Sequence, residues 1–134
     1  MNPSPSLNRA AAAESPPICH AQWTPDTAIL EAFSGDEESI AELIDAFRTD
    51  TESRLRRIRA ALAIADVAGI RREAHAIRGS AGQICAETLA EVCMQVEMAS
   101  ASTPLPHFFT LVLRMQELFG EVSGDMAAYR SHHV

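Results

Sequence analysis

From Ile40 to Leu62, apolar side chains return at helical spacing: Ile40, Leu43, Ile44, Phe47, Leu55, Ile58 and Leu62 lie along one stripe. A stripe this long commits the chain to a long amphipathic helix whose apolar face must be buried against other elements. The polar run Thr49-Asp50-Thr51 lies inside it, with Thr51 on the stripe, and one continuous helix is still the reading. Asp36 is its N-cap, and Glu37 and Glu38 suit the positive end of its dipole.

The same grammar repeats along the chain. Thr24-Pro25 reads as a cap and first helical proline, opening a short helix through Phe33 that Ser34-Gly35 stops. Asp66 caps a third helix with Ile70, Ala74, Ile77, Ala81 and Ile84 inward, and a break falls near Cys85. A fourth helix carries Leu89, Val92, Cys93 and Val96. After the loop Ala101-Ser102-Thr103-Pro104, a fifth carries Leu105, Phe108, Val112, Met115, Phe119 and Val122, with Gly120 and Gly124 weakening its end. No segment alternates as a strand would. Short loops between long helices make neighbours antiparallel. The expected fold is all-α: an antiparallel up-down four-helix bundle with a short leading N-terminal helix.

Composition agrees with a single bundle. The chain has 134 residues, 47% hydrophobic but only 5% aromatic, so its core is aliphatic. Residues 1–22 mix proline, serine and alanine without periodicity and read as a disordered tail or linker; 23–130 form the bundle and 131–134 a C-terminal tail. The net charge of −7 argues against nucleic acid. No apolar run is long enough to span a membrane, and the N-terminus lacks a signal-peptide pattern. Cys19, Cys85 and Cys93 form no C-x-x-C pair, so free thiols in a reducing cytoplasm are expected.

The third helix also has an outward face. His75, Arg78, Gly79, Gly82 and Gln83 follow one another at i, i+3, i+4, i+7 and i+8, away from the inward stripe. A lone histidine would be an ordinary surface residue, Arg78 a solvated charge and the glycines packing points. Together they describe something narrower. Imidazole is a neutral nucleophile near neutral pH. A guanidinium can pair with a phosphoryl group. Two helix-interior glycines, each costing about 1 kcal/mol relative to alanine, suggest that another surface approaches closely.

The run Ala74-His75-Ala76-Ile77-Arg78-Gly79-Ser80-Ala81, continuing through Ala86 and Leu89, resembles the signature of histidine phosphotransfer (HPt) domains. The stretch Ile29–Asp66, with its Phe-Ser-Gly-Asp turn and Phe47, is similar as well, and Cys93 to Glu97 resembles the family's C-x-x-[LV]-E. The resemblance covers about residues 25–122. It implies a four-helix bundle that accepts a phosphoryl group on His75 and exchanges it with a receiver-domain aspartate. Arg78 stands where the family usually has lysine, Gly79 lets the receiver approach, and Gln83 supports the histidine or the phosphoryl group. Cys85 replaces the usual glycine before Ala86.

The expected function is relay of a phosphoryl group between receiver aspartates, in a free-standing protein or the C-terminal module of a hybrid sensor kinase. The module needs no cofactor of its own, since the receiver brings Mg²⁺. It holds no phosphate loop or kinase motif, so it is a transfer partner rather than a kinase. Partners are receiver domains and a sensor histidine kinase, and the module is expected to be monomeric. Gly79, Gly82, Ile29, Leu30, Phe33, Arg71 and Arg72 are candidates for receiver docking, and the cluster Arg54, Arg56, Arg57 and Arg59 for a charged rim. The alternative is an adapter that docks a receiver or another enzyme, with transfer secondary. A di-metal bundle is rejected, because Glu73 and His75 share no face. His20, His107, His132 and His133 have no ligand spacing.

Overall fold

The structure, a computed structural model, describes residues 23–25, 27–99 and 102–133, with the backbone alone at 132 and 133. The leader, with Cys19 and His20, lies outside them. Five helices follow in order: α1 (Thr27–Ala32), α2 (Glu37–Ala63), α3 (Val67–Gln83), α4 (Glu87–Met98) and α5 (Leu105–His133). Around the bundle, α2 packs on α3, α3 on α4, α4 on α5, and α5 closes back on α2. The expected all-α, up-down bundle is the fold.

The stripes read from the sequence become the core. Ile40, Ile44 and Ile58 of α2, Ile70 and Ile77 of α3, Leu89 and Val96 of α4, and Phe108, Met115 and Leu118 of α5 are fully buried. Asp36 accepts from the amides of Glu38 and Ser39, and Asp66 accepts from that of Gly69, as the cap readings require. A side chain at Gly69 would displace the capping group, since its Cβ would stand 2.5 Å from the Asp66 carboxylate.

Three helix ends share one turn. After α1, α2 and α3 the chain enters the left-handed region at Ser34 (φ 52°), Ala65 (φ 56°) and Cys85 (φ 63°). In each turn the following amide reaches back five residues, Gly35 to the Leu30 carbonyl, Asp66 to Ala61 and Ala86 to Ala81, all at 2.8 Å. This is the Schellman closure, whose left-handed position normally favours glycine. It gives a physical reason for the glycine that Cys85 displaces.

Two boundaries differ from the sequence reading. The first helix begins at Thr27, not at Pro25. The cause is Trp23, whose backbone amide donates to Asp125 at 2.8 Å and whose indole donates to the buried Ile84 carbonyl at 2.7 Å. Its ring meets Tyr129 edge-on. The chain is thus pinned to the bundle before it begins to coil. At the other end, α5 passes both glycines and runs to His133, so residues 131–133 extend a helix rather than begin a tail. Packing beyond the glycines outweighs their propensity cost: Met126 is fully buried, and Arg130 grips both oxygens of Asp45 on α2.

Candidate functional site

The inward stripe of α3 fixes what faces out. Ala74 and Ile77 are fully buried, and His75 between them keeps 68% of its side chain exposed. Its Nδ1 lies 2.7 Å from Oε1 of Glu97, near the end of α4. Arg78, one turn further, donates from Nε to Oε2 of the same carboxylate, and its Nη2 is 3.4 Å from Oε1. Arg71, one turn earlier, donates from Nε to the Glu97 carbonyl at 3.0 Å. One stripe of α3 therefore converges on a single residue of α4.

The electrostatics settle the ring's tautomer. Burial pushes the Glu97 carboxyl up, but hydrogen bonds from His75 and Arg78 and the Arg78 charge outweigh it, holding it below the usual carboxylate range. At neutral pH Glu97 is therefore ionised, and an ionised carboxylate only accepts. Nδ1 of the neutral ring must then carry the hydrogen, which leaves the lone pair on Nε2. The Nη2 of Arg78, 3.5 Å from Nδ1, is a neighbour of that nitrogen rather than its donor.

Glu97 is the residue sequence reasoning missed. Following one helical face cannot reveal a partner on the next helix. The available signal was the Cys93 to Glu97 run, which places Glu97 one turn beyond the buried Cys93. Arg78, expected to meet a phosphoryl group, is engaged with Glu97 in the unphosphorylated protein. Burial pushes the Cys93 thiol up to about 12, so it is a core residue rather than a second nucleophile.

The glycines separate the two readings offered for them. A Cβ at Gly79 or Gly82 would meet nothing within 4 Å. Neither serves packing within the bundle, so both leave room for something outside it. Gln83 does not join the histidine. Eight residues on it is about 12 Å along the helix and roughly 80° round it, and it lines a groove with Leu43, Phe47 and Asp50 of α2. Arg78 leans the other way, sharing a groove with Gly82, Ala90 and Met94 beside α4.

The remaining docking candidates are dispersed. Ile29 is buried in the core, Phe33 is half-buried against it and Leu30 is exposed. Arg71 is tied to α4, while Arg72 is exposed. Of the arginine cluster, Arg54 and Arg57 both bind Glu73 of α3, at 2.9 and 3.1 Å. Among the described residues, no cluster of three or more His, Cys, Asp or Glu side chains could hold a metal, and no helix is long and apolar enough to cross a membrane.

Comparisons with known proteins cover the bundle that carries this helix face. The family model of the Hpt domain matches residues 42–125. Histidine-containing phosphotransfer protein B (HptB) from Pseudomonas aeruginosa PAO1 has a similar crystal structure, with a TM-score of 0.72 and 27% identity over 81% of this chain and 96% of that one. No curated protein sequence matches significantly. The match spans most of α2 and α5 and all of α3 and α4, and with them the histidine ridge. The chain belongs to the Hpt domain family, the histidine phosphotransfer proteins of two-component phosphorelays.

Proposed function

We propose that His75 is the phosphoryl carrier, and that Nε2 is the atom that accepts. The observation that carries this reading is the Nδ1 to Glu97 hydrogen bond of 2.7 Å on a ring that is otherwise exposed. Nε2 attacks the phosphorus of a receiver's aspartyl phosphate. A P–N bond forms as the P–O bond to the aspartate breaks, and the aspartate leaves as a carboxylate. The ring becomes a cation with its hydrogen still on Nδ1, and the Glu97 charge balances it. Glu97 is thus a positioning residue: it sets the tautomer and orientation of the nucleophile, as a carboxylate does for histidine in other sites.

Arg78 has a second role to offer. Its guanidinium lies beside the ring and can turn from Glu97 toward the incoming phosphoryl oxygens. Mg²⁺ comes from the receiver, since phosphoryl transfer depends on positioning and charge that two surfaces can supply jointly. Gly79 and Gly82 leave the space for that surface, and Ala90 and Met94 offer it an apolar border. The module passes the group onward to a second receiver, either as a free-standing relay protein or as the C-terminal module of a hybrid sensor kinase.

The test is transfer from a phosphorylated receiver to wild type and to His75→Gln. Acid-labile, base-stable label should appear on wild type alone. Label on both would move the site away from His75. No label on either, with receiver binding retained, would favour an adapter.

A further inference from the structure

The seam between α2 and α5 carries a second surface that phosphotransfer does not use. Its apolar end is a groove of about 540 Å³ floored by Leu62 and Val112 and lined by Ala63, with Phe109 and Leu113 on its rim, each more than half exposed. A more polar groove, bordered by Arg56 and Gly120, continues it and shares Arg59 and Gln116. Together they form one trough from residue 52 to residue 63 of α2, roughly 17 Å of helix. No residue of α3 lines it, so an occupant would leave His75 open.

Charge and shape say what fits. Arg56 and Arg59 border the trough, both exposed, and no hydrogen bond or ion pair engages either among the described residues. By contrast Arg54 and Arg57, on the same helix, are committed to Glu73. The trough's one acidic border residue, Glu52, lies at its far end. In a chain of net charge −7, these uncommitted cations beside apolar anchors make a local border complementary to carboxylates. Gly120 adds an independent observation. A Cβ there would meet nothing within 4 Å, although glycine costs about 1 kcal/mol inside a helix. As at Gly79, the missing side chain serves no neighbour in the bundle and leaves the trough shallow-walled.

We infer that the α2–α5 trough is a docking site for an acidic amphipathic helix of a partner protein, seated through apolar anchors against Phe109 and Leu113 and through carboxylates against Arg56 and Arg59. This is the helix-in-groove mode, in which anchors at i, i+3, i+4 and i+7 supply affinity and flanking charge supplies selectivity.

The probe is a synthetic helical peptide of about 14 residues, with leucine and phenylalanine anchors flanked by glutamate, titrated into the ¹⁵N-labelled full chain. A counterpart carries lysine for glutamate. Amide shifts should concentrate in residues 52–63 and 109–123. The lysine peptide should bind at least about tenfold more weakly, and the double variant Arg56→Glu/Arg59→Glu should lose the acidic peptide by a similar factor. Gly120→Gln should block binding while thermal stability holds or rises, and His75→Gln should leave binding unchanged. Four results would overturn the inference: no shifts at about 1 mM peptide, shifts centred on α3 and α4, equal affinity for both peptides, or self-association of the chain abolished by Leu113→Asp, which would make a second copy the occupant.

Discussion

At the scale of single residues, the site is a histidine whose tautomer is chosen by a carboxylate on another helix. Glu97→Gln keeps the shape but removes the charge, and its amide can present either a donor or an acceptor to Nδ1. Phosphoryl transfer should slow about tenfold or more, and ¹⁵N chemical shifts of the ring should move from the Nδ1–H form toward a mixture. Unchanged shifts would remove Glu97 from its positioning role. The sign of the acid response follows from the same contacts. The folded-state value lies below the ordinary 4.5, so the stabilisation from Glu97 is fully present above that pH and is lost as pH falls through the depressed value.

Thr51 makes a different residue-level case. It is fully buried, and its Oγ1 has no hydrogen-bond partner among the described residues. Burying an unsatisfied hydroxyl costs about 1–3 kcal/mol. Thr51→Val should therefore raise the midpoint of urea unfolding by the equivalent of about 1 kcal/mol, with an unchanged slope. A loss of stability would mean that the hydroxyl is satisfied. The sequence placed Thr51 on the apolar stripe, but nothing in the pattern could show that its hydroxyl would be stranded there.

At the scale of elements, the turns set the helix directions, and all three place a non-glycine residue, Ser34, Ala65 or Cys85, where the backbone favours glycine. An ordinary residue in the left-handed region costs about 1–2 kcal/mol. Ala65 is exposed at φ 56°, so Ala65→Gly should stabilise by about 0.5–1 kcal/mol after allowing for the entropy glycine loses on folding. Cys85→Gly should gain less, because the Cys85 side chain packs partly against the core. Thermal unfolding of the two variants side by side checks the ordering, and a greater gain at Cys85 would contradict it. The break at Cys85 was legible in the sequence. Its left-handed backbone was not, since cysteine gives no hint of a position that glycine would suit.

At the scale of the whole molecule, periodicity carried most of the information. The stripes of α2 to α5 and the caps at Asp36 and Asp66 were readable because each is a local pattern. The outward face of α3 was readable for the same reason. What escaped notice joins distant parts of the chain: Glu97 to His75 across two helices, Arg130 to Asp45 between α5 and α2, and Trp23 to both Ile84 and Asp125. Gln83 erred in the opposite direction. It shares a helix face with His75 on paper, but the extra rotation carries it to the α2 side. Helix spacing predicts which way a side chain leaves its axis, and only packing decides which neighbour it meets.

Trp23 makes the molecule optically legible. It is the chain's one tryptophan, and its indole is buried in a hydrogen bond to the end of α3. Its emission therefore reports on one joint, the attachment of the leading segment to the bundle, while far-ultraviolet dichroism reports on all the helices together. Asp125→Asn weakens the charged acceptor of the Trp23 amide, so a red shift in emission should precede the loss of helical signal on heating. Coincident transitions would mean that the joint and the bundle melt as one unit. A residue that the helical pattern passed over would then serve as a built-in gauge of whether the leading segment is seated.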